Sequence, residues 1–178
     1  MKITDIKTHL LQVPLMEPFH IALGVITDVT SVLVEVQTDE GITGYGEGAP
    51  GVLITGENLE GTEASIRLFR EKLIGTDPRD LEKVNAIMNR ASYQAPTAKA
   101  AVDIACHDIA AQAAGMPLYR FLGGMDKEIE TDMTVGIAEP EKMAAKAKLH
   151  VEHGFNVIKT KVGIDTATDI ARVKAIRE

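Results

Sequence analysis

Two lysines stand two residues apart, Lys159 and Lys161, in the run VIKTKVG from Val157 to Gly163. Side chains alternate in direction along an extended segment, so residues i and i+2 project to one side and the two ammonium groups share a face. Where such a face meets a partly dry cavity, desolvation and mutual repulsion make one of the pair release its proton more readily, and a neutral amine near pH 7 is a general base. The same spacing also suits a surface edge strand, where lysines discourage pairing with another chain. The flanking pattern favours the first use. The run follows one strand–helix unit and precedes another helix, which makes it an interior parallel strand, where a lysine is costly unless it works.

The elements that must hold this strand can be read from the hydrophobic period. Thr131 to Ile137 reads as a strand, Pro140 to Glu152 as a helix, Asn156 to Val162 as a strand and Thr166 to Arg177 as a helix. This β-α-β-α order opens a parallel α/β barrel or a doubly wound sheet. Upstream, Ile3 to Val13, Ser31 to Thr38 and Ile42 to Gly48 read as strands, with Val32, Val34 and Val36 alternating against Leu33 and Glu35. Asp39-Glu40-Gly41 is the turn of a hairpin, with Gly41 free to take a positive φ. From Asn58 the period becomes helical through Ile66, Phe69 and Leu73, and again through Leu81, Val84, Ile87 and Met88, with Gly75, Asp77 and Pro78 between the two runs. A third helix follows Pro96, capped by Thr97. Its stripe of Ala101, Val102, Ala105, Cys106 and Ile109 is small enough for close packing, and Gly115 and Pro117 end it. The fold class is therefore an α+β domain over 1–125, followed over 126–178 by two βα units that leave sheet edges uncovered and are expected to begin something larger.

Composition limits what such a protein can bind. The 178 residues are 45% hydrophobic and carry a formal charge of −7, which gives no electrostatic grip on nucleic acid or anionic lipid. No apolar run is long enough to span a bilayer, and no apolar signal core follows the first residues, so a cytoplasmic protein with a small-molecule partner is expected. A single cysteine, Cys106, excludes an internal disulfide framework and multi-cysteine metal sites. Three other motifs are read as structural. Gly46-x-Gly48-x-x-Gly51 has the form of a dinucleotide fingerprint, but Pro50 and the lack of an immediate helix deny a phosphate its helix N-terminus. His150 and His153 sit near a helix end, where His153-Gly154 reads as a cap. Cys106, His107 and Asp108 point in different directions on one helix.

An α+β domain, then the helix AVDIACHDIAAQAAGMPLYRFLGG from Ala101 to Gly124, then Lys159-x-Lys161, together resemble the muconate-lactonizing subgroup of the enolase superfamily along the whole chain. The runs Thr131 to Ile137, Glu139 to Ala145 and Asp169 to Arg172 are most similar to L-Ala-D/L-Glu epimerases. This resemblance implies a capping domain followed by a TIM-type (β/α) barrel. It implies a Mg²⁺ ion that binds a substrate carboxylate, that of a dipeptide, and a lysine that removes the proton α to it. Lys161 is implied as that base, and Lys159 as the neighbouring cation that lowers the base's proton affinity and faces the enediolate. The metal ligands and the opposite-face acid/base are implied on later strands, so no metal ligand is assigned in this sequence. Capping loops over Glu17 to Asp28 and Gly48 to Glu57, with Gly24 and Gly51 as hinges, are implied to close on the substrate, placing Phe19, His20, Ile21 and Ile54 near its distal part. A homo-oligomer is expected. The alternatives are a muconate cycloisomerase or o-succinylbenzoate synthase on the same lysines, or a non-catalytic interaction module that needs a second chain. An intact barrel of ~250 residues would make the parent about twice this length.

Overall fold

The computed structural model describes residues 1–21 and 24–178. It divides into two compact units, one made of 1–13 and 29–125, the other of 14–28 and 126–178. The sequence pattern alone groups 14–28 with the first region; in the structure this segment packs with the second.

The first unit is built on a sheet in the order β1-β2-β3, with β1 at Ile3–Ile21, β2 at Gly24–Thr38 and β3 at Thr43–Gly48. β1 runs eight residues past the expected end at Val13, through Pro14 and Pro18. Proline removes a ladder donor, which an edge strand tolerates, and β1 is an edge strand. The expected loop over 17–28 is thus strand wherever it is described; Ala22 and Leu23 lie outside the described residues. β2 and β3 pair antiparallel, with Val34 opposite Gly46 and Val36 opposite Gly44. The turn between them holds Gly41 at φ +80°.

Three helices cover one face of this sheet. α1 (Leu59–Leu73) is capped by Asn58, whose side chain accepts the Gly61 N–H at 2.8 Å, and it buries Ile66, Phe69 and Leu73. α2 (Leu81–Ala91) is capped by Asp80 and buries Val84 and Met88. α3 (Pro96–Ala113) begins differently from the expectation. Pro96 is its first residue, and Thr97 lies inside the first turn rather than capping it. The Thr97 N–H donates to the Glu57 carboxylate at 3.1 Å and its hydroxyl donates to the same group, so the cap comes from forty residues upstream. A short turn of helix, α4 (Leu118–Phe121), comes next.

The seam between β3 and α3 explains the glycines of the false fingerprint. A Cβ at Gly44 would lie 2.1 Å from the Ala105 carbonyl oxygen, and one at Gly46 would lie 2.0 Å from that of Ala101. Backbone meets backbone there, which only glycine against a small-residue stripe permits. Asp108, at the exposed edge of the seam, accepts the Tyr45 N–H at 3.0 Å and Gln112 Nε2 at 3.1 Å. Cys106 is fully buried, and burial pushes its thiol up to about 12, which keeps it protonated and inert.

The second unit holds a parallel pair, β4 (Asp132–Val135) and β5 (Val157–Thr160), with α5 (Pro140–Glu152) and α6 (Thr166–Arg177). Both helices match the sequence pattern because each carries its own punctuation. Pro140 opens α5 and Gly154, at φ +93°, closes it; Asp165 caps α6 by accepting the Thr168 N–H at 2.8 Å.

Candidate active site

β5 owes its orientation to what it buries. Val135 on β4 and Met143 and Ala147 on α5 form the small core of this unit, and Ile158 and Ile176 pack against it. Since Ile158 faces the helices, strand alternation turns Lys159 to the opposite, helix-free face, and Lys161 lies one residue past the strand's end. Lys159 stands opposite Thr134 and is exposed, whereas Lys161 is half-buried. The Lys161 ammonium lies 5.5 Å from the centroid of the Phe19 ring, close enough for the ring's negative face to hold a cation.

Phe19 and His20, both named from the sequence, thus reach this part of the molecule through the long β1. The His20 carbonyl accepts the Ile137 N–H at 3.4 Å, and the backbone passes so close that a Cβ on Gly136 would touch both residues at 3.5–3.6 Å. Ile21 is half-buried at the described end of β1. Ile54 belongs to the other unit, on a turn where its own N–H returns to the Gly51 carbonyl, and it is 78% exposed.

Within the second unit, a cavity of about 270 Å³ is lined by Phe19 and His20 together with Glu17, Thr134, Lys142 and Lys146 among others, and neither lysine of the pair lines it. Lys146 donates to the Glu17 carboxylate, and this bond holds that carboxyl below its usual range. His150, one turn further along α5, is buried with its Nε2 unpaired and its ring edge-on to Phe155; burial pushes its proton affinity down. Glu17, Lys142 and Lys146 are not among the residues singled out from the sequence. Lys142 and Lys146 are spaced i, i+4 on one helix face, but nothing in the sequence signals the carboxylate from 129 residues away.

Among the described residues, no group of three or more His, Cys, Asp or Glu side chains converges to hold a metal ion. The described residues alone therefore do not make up a magnesium site. Also among the described residues, no helix is long and apolar enough to cross a membrane.

Known proteins resemble this chain along its whole length. The profile of the mandelate racemase / muconate lactonizing enzyme N-terminal domain matches residues 4–123. The chain belongs to this family. It is 50% identical over 178 residues to the hydrophobic dipeptide epimerase of Enterococcus faecalis, covering 100% of this chain and 50% of that protein. It is 39% identical to the L-Ala-D/L-Glu epimerase of Bacillus subtilis, covering 100% of this chain and 49% of that one. A crystal structure of the Enterococcus dipeptide epimerase with Mg and the dipeptide L-Leu-L-Tyr superimposes with a TM-score of 0.97 at 50% identity, over 99% of this chain and 50% of that one. The chain spans about half the length of these relatives. Its fold is accordingly the α+β capping domain of the enolase superfamily, continued by two parallel βα units.

Proposed function

We propose that this chain carries the N-terminal half of a Mg²⁺-dependent dipeptide epimerase, in which 1–125 is the capping domain and 126–178 supplies the first βα units of a (β/α) barrel. The observation that supports this reading is Lys159 on the helix-free face of β5, the face that a closed barrel turns inward, with Lys161 one residue past the strand's end beside Phe19. Lys161 is the base. Its neutral amine takes the proton from the carbon α to the substrate carboxylate, leaving an ammonium and an enolate. Lys159 places positive charge where the carboxylate gains electron density. Epimerisation then needs a proton returned to the other face. The donor, like the ligands of the ion, is proposed to lie in the half that the relatives have in addition. Phe19, His20, Ile21 and Ile54 are the side chains proposed to meet the distal part of the dipeptide. A cytoplasmic homo-oligomer is the proposed working form.

The second reading, that this chain by itself is a non-catalytic module requiring more polypeptide, is favoured by the absence among the described residues of a metal-ligand group and by the exposed apolar side chains Val162, Ile164 and Ile170. One experiment addresses both. Exchange of the α-proton in D₂O is followed by NMR with Mg²⁺ and a panel of dipeptides, for the 178-residue chain and for the chain completed with the half its relatives have in addition. No exchange by the chain alone is expected, with exchange by the completed protein that Lys161→Ala slows by about 10³-fold. Exchange that survives Lys161→Ala would remove that lysine from the chemistry. Silence of the completed protein toward every dipeptide would leave the sister reactions or the module.

A further inference from the structure

Lys161 sits one residue beyond the last ladder position of β5, so the strand alone does not fix it. The turn after the lysine supplies the missing restraint. Gly163 has φ +114°, a conformation open to glycine, and its N–H donates to Asp169 Oδ2 at 2.6 Å. The other Asp169 oxygen accepts from Arg172 Nη1 at 2.8 Å, and Arg172 Nε donates to the Ala138 carbonyl at 2.8 Å, in the connection between β4 and α5. The two side chains are only 14% and 9% exposed. This run of charge-assisted bonds therefore ties together the loops that leave both strands of the sheet. Both oxygens of the carboxylate are taken within the protein, which suits a positioning role rather than contact with substrate.

We propose that Asp169 and Arg172 are positioning residues for Lys161: the carboxylate clamps the turn that begins at the lysine, and the guanidinium anchors that clamp to the neighbouring strand's loop. The inference rests on the reading of Lys161 as the base. A base displaced by about 1 Å from its substrate loses on the order of 100-fold in rate, so a clamp at this point controls turnover without touching the reacting atoms.

The test has two arms. In the 178-residue chain, NMR reads the exchange rate of the Gly163 amide and the chemical shift of the Lys161 side-chain methylenes, which the Phe19 ring beside the ammonium is expected to displace; Phe19→Leu gives the undisplaced value. Asp169→Ala is expected to speed Gly163 exchange about tenfold or more and to move the Lys161 shift toward the Phe19→Leu value, while α5 amides stay protected. Asp169→Asn, which keeps an oxygen for Gly163, is expected to retain most of the shift. If Asp169→Ala melts the whole unit, Arg172→Lys gives the same readings with the charge kept and the fork lost. A Lys161 shift that stays put when the Gly163 amide is released overturns the proposal.

In the completed enzyme, Asp169→Ala is expected to lower kcat about 100-fold with KM little changed, and to raise the primary deuterium isotope effect on the α-proton. Mere loss of folded protein lowers kcat without moving the isotope effect, and that result also overturns the proposal. If the completed wild-type protein shows no exchange while the first arm behaves as expected, the functional reading fails and the positioning of Lys161 stands.

Discussion

The β3–α3 seam of the first unit and the β4–β5 sheet of the second show two ways of using backbone proximity. In the first, Gly44 and Gly46 bring a strand against Ala101 and Ala105 with no room for a methyl group, and a continuous core from Ile3 to Ile109 surrounds the contact. In the second, two strands of four residues carry a core of Val135, Met143 and Ala147, while Val162, Ile164, Ile170 and Val173 remain exposed. The lesson is a division of labour. The capping unit is close-packed and holds its shape through apolar burial, whereas the unit bearing the lysines relies on caps, ion pairs and hydrogen bonds, which fix geometry more than they add stability.

Truncating the larger core is the most direct way to break this contrast. Phe69 is completely buried in the first unit, and Phe69→Ala is expected to cost about 4 kcal/mol by urea denaturation, against about 2 kcal/mol for Met143→Ala, whose surroundings can collapse more easily. Equal losses would mean that the two cores are equally rigid. Gly46→Ala should cost about 3 kcal/mol, since its Cβ would meet main chain rather than a movable side chain, and hydrogen exchange should show the loss on β3 and α3. A near-neutral result would show that the seam can open. In the second unit, Asp165→Ala removes the α6 cap and should cost about 1 kcal/mol, read as faster exchange in the first turn of that helix.

The smallest effect concerns pH and separates His150 of the second unit from the carboxylates of both units by window. His150 has its proton affinity lowered chiefly by burial, with the charges of Lys146 and His153 adding to it and Glu17 opposing. A group depressed in the folded state contributes stability above its unfolded value of 6.5, and that contribution is lost as pH falls through the folded value. Depressed carboxylates occur in both units, Glu17, Asp165 and Asp169 in the second and Asp5, Glu35 and Asp77 in the first. Asp77 is held at about 2 by Arg79, and Asp5 is lowered by Arg70, so their contributions are lost only below the usual 3.8. Amide exchange monitored from about pH 7 down to about pH 3 should therefore loosen α5 before it loosens α1, and His150→Leu should abolish the early phase. Simultaneous loosening, or an early phase that persists in His150→Leu, would assign it to another group.

The five longer helices are legible in the sequence because each carries local punctuation, Asn58, Asp80 and Asp165 as caps, Pro96 and Pro140 at first positions, Gly115 and Gly154 past the ends; the single turn of α4 is not. The side of Lys159 is legible for a similar reason, since alternation from Ile158 fixes it; Lys161 lies past the strand's end, where the turn and not strand spacing sets its direction. The length of β1 is not, because Pro14 and Pro18 end a strand by local rules and only its place at the sheet edge lets them stay. Thr97 misleads for a related reason: a cap from Glu57 depends on a contact forty residues long.

By itself, the sequence determined the order and type of the long elements and set two lysines at the end of β5, both of which come from propensity, period and caps within a few residues. Only the tertiary structure decided what those lysines meet. Phe19 lies beside Lys161 because β1 continues past its prolines, the turn after Lys161 is held because Asp169 and Arg172 close over it, and the glycines of β3 serve packing because α3 lies against them. Such contacts join residues far apart in the chain, and no local preference encodes them; they exist only once burial has brought the elements together.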